Sequence, residues 1–535
     1  MAQTIPKKTH PFQAFLRRFI QQVALRSKQH NQAAWILETT GSPDAASLKG
    51  DLDAEVRLLF NSAATYKKLL LWDKDPHLAD PLLRRQLSVL LRAFKQNQIA
   101  PALVKEIAQK EAALAQSYAN FRPELDNKKL SENDLRELLK KENNPAKRQR
   151  AWAASKEIGS KLAPQILELV KLRNTAAKKL GYPDYFQMQL DLQEVDSKWL
   201  LQMLEELGVS SDKAYGRALG TIHDSLCQRF QVPVSELGPW AWSDPFCQED
   251  PLDSHGLDEL VKNTDIEKAS VSFYEKMGID VKPILARSDM YERPGKNQHA
   301  FCIHMDREGD IRTLNNINSS LKWLEVVMHE LGHAVYELGF DPKLPWLLRE
   351  PPHMITTEAM ALIAGRQAYQ YHPLQVLVGS SAEKNSLFRK ADESHQRRQL
   401  IFSRWVLVMT AFESELYRDP EQDLNALWWN IVEKYQKIAA PKNRTGCSDW
   451  AAKYHIGLAP VYYFSYLLGE LFASSIQETL EKLFGSATLS TPKAGKFLQE
   501  KLFSPGNRMS WSELVKHVTG APLSPKAWLK EFAKD

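Results

Sequence analysis

Apolar residues recur at helical spacing along most of this 535-residue chain, and this periodicity constrains the fold more than any other feature. Positions i, i+3, i+4 and i+7 are apolar in four long segments: 83–96, 101–118, 161–180 and 199–207. Gly181, Tyr182 and Pro183 end the third segment. The pattern predicts a mainly α-helical protein.

One short segment departs from the helical period. Residues 299–305 and 311–314 read as strands, and residues 307–310 between them read as a turn. The pattern predicts a β-hairpin, and the free edge of such a hairpin can accept an extended peptide through backbone hydrogen bonds. A hairpin that only covers part of the core fits the same pattern.

The residues His329, Glu330, Leu331, Gly332 and His333 form an HExxH pattern. Two imidazoles four positions apart share one helix face and can bind one metal ion, while the glutamate can take a proton from an attacking water. With 14 histidines in the chain, this pattern arises by chance only about 0.02 times. The alternative is a buried amphipathic helix that happens to carry two histidines.

The ends of the motif helix are also visible in the sequence. Ser319 and Ser320 can cap its first turn, and Gly339 can close its last. Gly332 costs the helix about 1 kcal/mol relative to alanine. We interpret that cost as a need for space beside a bound ligand.

A catalytic zinc site needs a third protein ligand and an open position. No third histidine follows at the HExxHxxGxxH spacing, so a carboxylate from Glu337, Glu350 or Glu358 is expected. Glu358 is the best placed of the three because Thr356 and Thr357 can cap a helix that it begins. A glutamate in a first helical turn can also serve only as a partner for the helix dipole.

Composition narrows the class of protein. The chain is 43% hydrophobic and 25% charged, with a net charge of +5, so a nucleic-acid surface is not expected. Its four cysteines are not at metal or redox spacing. Residues 12–25 resemble an amphipathic helix more than a signal-peptide core, and no run of about 18 apolar residues occurs. We expect a cytoplasmic protein without a membrane span.

Several motifs in the same order resemble the angiotensin-converting-enzyme family of zinc peptidyl-dipeptidases, as in a divergent bacterial-type member. They are Leu348-Arg349-Glu350 to Glu358-Ala359, Lys171-Leu172-Arg173-Asn174, Phe402-Ser403, Trp428-Trp429, Lys434-Tyr435-Gln436, Lys453-Tyr454-His455-Ile456 and Tyr462-Tyr463-Phe464. The similarity is strongest from about residue 260 to the C-terminus. It implies a mainly α fold in which two helical subdomains flank a deep substrate channel, with a small β-hairpin beside the zinc helix.

The resemblance implies one catalytic domain over residues 1–535, with an N-terminal helical half to about 260 and a zinc-site half from about 261. It implies one Zn²⁺ per chain. The residues that it places at the site are His329, His333 and Glu358 as ligands; Glu330 as general base and acid; His455 and Tyr463, with Tyr462 as the alternative, as oxyanion donors; His299 and Ala300 against the substrate backbone; and Lys453 on the substrate's C-terminal carboxylate.

Some positions depart from the family pattern. Leu362 replaces an acidic residue that buttresses a zinc histidine, and Val461 replaces a tyrosine that helps to hold the carboxylate. No residue near 259–262 matches the family's carboxylate-binding glutamine. The arginines that bind activating chloride are absent, so chloride is not expected to be required. Gln298 and Asn316 replace a pair of disulfide-forming cysteines.

The leading hypothesis is a zinc metallopeptidase of the gluzincin type, with a glutamate as third ligand, that hydrolyses oligopeptides and releases dipeptides from free C-termini. A zinc oligoendopeptidase or a single-residue carboxypeptidase fits if Lys453 is not an effective anchor. A catalytically silent peptide-binding protein is the alternative outside enzymes. Oligopeptides are the expected partners, nucleic acid and membranes are not, and the oligomeric state stays open.

Overall fold

Helices dominate the structure, a computed structural model that describes residues 10–252, 256–485 and 489–534. The described residues form 22 α-helices and two small sheets. The first ten helices are α1 Pro11–Thr40, α2 Pro43–Leu59, α3 Ala63–Asp73, α4 Pro81–Gln96, α5 Pro101–Asn120, α6 Glu132–Lys141, α7 Pro145–Lys179, α8 Tyr185–Leu192, α9 Ser197–Ser210 and α10 Asp212–Phe230. The remainder are α11 Ile266–Lys276, α12 Lys282–Leu285, α13 Leu321–Leu338, α14 Met354–Arg366, α15 Tyr371–Val378, α16 Asn385–Arg418, α17 Leu424–Gln436, α18 Tyr454–Leu458, α19 Phe464–Phe484, α20 Pro492–Leu498, α21 Trp511–Thr519 and α22 Lys526–Phe532.

The mainly helical prediction is confirmed. The four periodic segments lie within α4, α5, α7 and α9. Helix α7 ends at Lys179, and Gly181 then takes a positive φ of 87°, which a glycine adopts without steric cost.

The hairpin forms with a shorter first strand than the sequence pattern suggests. Its strands are β3, Phe301–His304, and β4, Ile311–Leu314, which pair antiparallel; β1, Glu124–Leu125, and β2, Lys128–Lys129, form the other sheet. Ala300 therefore precedes the strand. The outer side of β3 faces α1, where the Nδ2 of Asn31 donates to the carbonyl of His304 at 3.1 Å.

Two hydrophobic cores hold the molecule together. The main core draws residues from Leu114 to Phe532 and crosses the region of the proposed boundary near residue 260. A second, smaller core is built from α1, α3, α4 and nearby residues: Phe12, Leu16, Phe19, Val23, Leu69, Leu78, Leu87, Leu90, Phe94 and Leu347. The division into two halves and the substrate channel stay predictions.

The helices α13 and α14 approach each other unusually closely at Gly332. A Cβ atom there would lie 2.6 Å from the Cα of Ala361 and 3.0 Å from the carbonyl of Met360. The interpretation that Gly332 makes space for a ligand is therefore wrong: it makes space for the backbone of the neighbouring helix. That close packing brings the helix of Glu358 against the helix of the motif.

None of the helices in the described ranges is long and apolar enough to cross a membrane. The four cysteines, Cys227, Cys247, Cys302 and Cys447, are free thiols.

Candidate metal centre and substrate site

The three predicted metal ligands converge at one point between α13 and α14. The potential ligand atoms of His329, His333 and Glu358 all lie within 4.8 Å of one another. The Nε2 atoms of His329 and His333 lie 3.8 and 4.0 Å from the Glu358 carboxylate oxygens. Two imidazoles and one carboxylate are a donor set that suits zinc.

The other two glutamates considered have different partners. Glu337 lies 3.1 Å from Nδ1 of His304 on the hairpin. Glu350 forms an ion pair with Arg307 and accepts a hydrogen bond from Asn507 at 3.1 Å. The structure therefore brings Glu358, and neither of these, to the histidines.

The helix of Glu358 begins earlier than the sequence suggests. Its cap is His353, whose Nδ1 accepts a hydrogen bond from the amide of Ile355 at 3.0 Å, so the predicted cap at Thr356 and Thr357 is wrong. The imidazole nitrogen accepts a hydrogen bond from the amide, as the hydroxyl of a serine or threonine cap would. Glu358 consequently sits in the second turn, beyond the groups that interact most with the helix dipole.

Thr357 instead supports a metal ligand. Its Oγ1 lies 2.7 Å from Nδ1 of His333. If Nδ1 of His333 carries the proton, it donates a hydrogen bond to the Thr357 hydroxyl. The lone pair of Nε2 then faces the cluster. Thr357, directly before Glu358, therefore orients His333, a candidate ligand, whereas Leu362 has no polar group for such a contact.

Electrostatics at the cluster favour a bound cation. Burial lowers the pKa of His329 to about 4, and burial lowers the pKa of His333 well below its usual range, so both rings are neutral. Burial raises the pKa of Glu358 to about 7, and nearby Glu470 contributes. The Oε2 of Glu358 is buried without a hydrogen-bond partner among the described residues. A divalent cation would satisfy that oxygen and offset the cost of its charge.

Glu330 faces the same pocket from the motif helix. Its side chain is only 7% exposed. Burial raises the pKa of Glu330 to about 8, and the negative charge of Glu358 adds to the shift. A carboxyl group with a pKa near neutrality can both accept and return a proton.

His455 lies at the start of α18, next to Tyr463. Their rings are 4.9 Å apart in an edge-to-face arrangement. The Nδ1 of His455 is buried and has no hydrogen-bond partner in the part of the chain that the structure describes. Burial lowers the pKa of His455 to about 4, helped by the charge of Lys453. The ring is therefore neutral and available as a hydrogen-bonding group.

The two adjacent tyrosines point to different surroundings. Tyr463 packs against Trp405 at 6.1 Å and His455, whereas the hydroxyl of Tyr462 lies 3.2 Å from the sulfur of Met354. Burial raises the pKa of Tyr462, and the charge of Glu358 adds to that rise. The sequence alone does not decide between the two tyrosines. In the structure, Tyr462 is the one that lies on the Glu358 side.

Tyr466 is a candidate that sequence reasoning missed. Its ring packs edge-to-face against the ring of Tyr462, with the centroids 5.3 Å apart. Burial raises the pKa of Tyr466, and the negative charge of Glu358 adds to the rise. Tyr462 lies two positions before α19 and Tyr466 lies in the first turn of α19, so no helical spacing in the sequence relates the two rings.

Lys453 is buried in an aromatic enclosure, with 8% of its surface exposed. Its Nζ lies 5.0 to 5.5 Å from the ring centroids of Phe246, Trp405 and Tyr463, and it donates to Oε1 of Gln248 at 2.9 Å. Burial lowers the pKa of Lys453 to about 8.

Gln248, which sequence reasoning did not consider, is the glutamine that the structure brings to Lys453. It lies in the irregular segment before the 259–262 region, where buried Asp244 accepts hydrogen bonds from the amides of Phe246, Gln248 and Glu249 at 2.8 to 3.0 Å. These bonds wind the chain into a tight loop that aims Gln248 at Lys453. Without the loop geometry, nothing in the spacing links the two positions.

The hairpin residues lie at the rim. His299 is exposed, and its backbone amide donates to Oδ1 of Asn297 at 2.9 Å. No contact within the described ranges joins the His299 ring to the metal cluster. Ala300 is half-buried directly before β3. Their contacts with a substrate stay predictions.

Two family models match separate parts of the chain. The model described as angiotensin-converting enzyme matches residues 6–211, and that described as peptidase family M3 matches residues 285–534. The metal cluster and the segment from Lys453 to Tyr466 lie in the second match.

Curated relatives carry the similarity across most of the chain. Angiotensin-converting enzyme-like protein Ace3 of Mus musculus is 24% identical over 75% of this chain and 59% of its own length. Angiotensin-converting enzyme of Oryctolagus cuniculus is 25% identical over 71% of this chain, and angiotensin-converting enzyme-related protein of Drosophila melanogaster is 22% identical over 49%. The match spans 32% of the rabbit protein and 44% of the fly protein. By these family models and relatives, the chain is similar to angiotensin-converting enzyme in its N-terminal part and to peptidase family M3 in the part that holds the metal cluster, as a divergent relative of both.

Proposed function

We propose that this protein is a zinc-dependent peptidase that hydrolyses oligopeptides and releases dipeptides from free C-termini. The convergence of His329, His333 and Glu358 within 4.8 Å, with Glu330 on the same helix as both histidines, carries the proposal. A zinc ion held by these three residues would supply Lewis acidity to the scissile carbonyl and to the attacking water.

The chain's own groups would complete the reaction. Glu330 takes a proton from the attacking water and returns it to the leaving amine. His455 and a phenol, from Tyr463 or from Tyr462 or Tyr466 as alternatives, donate to the oxyanion that develops on the carbonyl oxygen. His299 and Ala300, directly before β3, hold the substrate backbone in an extended form.

The Lys453–Gln248 pair supports cleavage near the C-terminus. A buried ammonium group favours a carboxylate partner, and the aromatic rings around it exclude water. Val461 offers no phenol at this point, so the lysine and the glutamine would hold the carboxylate in a pocket that Tyr463 also lines. Cleavage inside amidated peptides would instead favour the oligoendopeptidase, and release of single residues the carboxypeptidase.

Glu330→Gln tests the mechanism. The variant should bind zinc as the unaltered protein does and lose turnover by about 10²- to 10⁴-fold, because the proton acceptor is gone. Glu337→Gln is the matched control on the same helix, since its carboxylate faces His304. Products from peptides with free and amidated C-termini would be identified by mass spectrometry. Unchanged cleavage by Glu330→Gln would refute the mechanism.

The same intact glutamate argues against a silent peptide-binding protein, which needs no buried base beside the metal. We also propose that chloride is not required. A many-fold rise in activity on adding chloride at constant ionic strength would contradict that expectation.

A further inference from the structure

We propose that Gln193 and Glu413 are positioning residues that fix the loop between His455 and Tyr463 relative to the helix of Glu358. The inference rests on the proposed peptidase function. It concerns how the loop that joins His455 to Tyr463 keeps its position relative to the helix that carries Glu358.

The loop turns at Val461, which has a positive φ of 56°. A β-branched residue is rarely found in this left-handed region, because its branched side chain crowds the backbone there. The side chain of Val461 is 1% exposed. Such a conformation persists only where the surrounding structure enforces it.

Two side chains from separate helical segments hold the Val461 backbone. The Oε1 of Glu413, on α16, accepts a hydrogen bond from the Val461 amide at 2.9 Å. The Nε2 of Gln193, directly after α8, donates to the Val461 carbonyl at 3.3 Å. Glu413 is 2% exposed, so no bulk water replaces its hydrogen bond.

Gln193 also reaches the helix of Glu358. Its Oε1 lies 3.2 Å from Nε2 of His353, whose Nδ1 caps α14 through Ile355. An imidazole with its proton on Nε2 satisfies both contacts. A continuous line of hydrogen bonds therefore runs from the first turn of α14 through His353 and Gln193 to Val461.

The far end of the loop has its own support. The Nη2 of buried Arg173 donates to the carbonyl of Gly457 at 2.8 Å. The loop is thus pinned on the His455 side by an arginine and on the tyrosine side by Gln193 and Glu413. The Gln193 line connects it to the cap of the helix that carries Glu358, beside the contact of the Tyr462 hydroxyl with the Met354 sulfur.

The kinetic test compares Gln193→Leu with Gln187→Leu, which alters the same short helix but not these contacts. With zinc bound, Gln193→Leu should lower kcat by about 10- to 100-fold and change KM by less than about threefold. A small displacement of His455 and the neighbouring phenols weakens their hydrogen bonds to the oxyanion, which forms only in the transition state. Glu413→Leu should behave alike, and Glu413→Gln, which keeps an acceptor oxygen, should recover most of kcat. A rise in KM alone, or an equal loss in Glu413→Gln and Glu413→Leu, would overturn the proposal.

Hydrogen–deuterium exchange tests the same inference without activity. Gln193→Leu should speed exchange in the segment 456–463 by at least about tenfold, while residues 401–418 of α16 keep their protection. Unchanged exchange in 456–463 would overturn the positioning role. If the unaltered protein with zinc cleaves no peptide, the proposed function fails, and the exchange result still decides this inference.

Discussion

The Nζ of Lys453 lies 2.9 Å from Oε1 of Gln248, although 205 positions separate the two residues. The contact joins the segment after α17 to an irregular loop wound around Asp244. It pairs a buried cation with a half-buried amide, and the two can together hold a carboxylate.

Replacing Lys453 with methionine should weaken binding of peptides with free C-termini. The variant keeps the volume of the side chain and removes its charge, so KM should rise by about 10- to 100-fold, as expected for loss of a hydrogen bond to a charged group. Amidated peptides should show a much smaller change. Lys156→Met is a control, because Lys156 lies 3.2 Å from the centroid of the same Phe246 ring without contacting Gln248. Equal KM values for Lys453→Met and the unaltered protein would refute the anchor.

Three tyrosine-to-phenylalanine variants should separate the roles of the neighbouring phenols. We expect Tyr466→Phe to lower kcat by about 10²-fold with little change in KM, because its hydroxyl lies on the Glu358 side and can reach the developing oxyanion. Tyr463→Phe should mainly raise KM, because Tyr463 lines the pocket of Lys453. Steady-state kinetics on one peptide would test this, with Tyr462→Phe measured alongside. A larger kcat loss in Tyr463→Phe than in Tyr466→Phe would contradict this prediction and support the role of Tyr463 that the family resemblance implies.

Gly332→Ala should disturb the metal centre through helix packing. The added methyl group would meet the Ala361 backbone at 2.6 Å, so α13 and α14 must separate, at a cost of about 1 to 3 kcal/mol. Zinc affinity, measured by competition with a chelator, should fall because Glu358 moves with α14. Gly220→Ala in α10 is the matched control, since nothing lies within 4 Å of its added methyl group. That variant should gain up to about 1 kcal/mol in the free energy of unfolding. Equal zinc affinity in Gly332→Ala and the unaltered protein would contradict the prediction.

His353 should make stability depend on pH. Burial lowers its pKa from 6.5 to about 4. Between these values the unfolded chain binds a proton that the folded chain does not, so the free energy of unfolding falls as pH falls from about 6.5 and levels off below about 4. His353→Asn keeps a capping side chain. Between pH 7.5 and 4.5 its free energy of unfolding should fall by about 2 kcal/mol less than that of the unaltered protein. Urea unfolding of both proteins in the same buffers measures the difference, since the remaining histidines are common to both. Parallel pH profiles would refute the prediction.

Local patterns in the sequence determined the helices, the hairpin and the two histidines of the candidate metal centre. Helical periodicity predicts α4, α5, α7 and α9 because burial of one face dictates apolar spacing. The HExxH pattern places His329 and His333 on one face by helix geometry alone. These features depend on neighbours within a few residues, which the sequence states directly.

Contacts between segments that are distant in the sequence decided how the side chains of the site are arranged. The pairing of Gln248 with Lys453, the support of His333 by Thr357, and the approach of two helices at Gly332 each join parts of the chain whose spacing carries no signal. The role of Tyr466 depends on where α19 begins relative to Glu358. Local propensity fixes which residues share a face, but only tertiary packing sets which faces meet, because side-chain contact at 3 Å depends on the placement of whole helices.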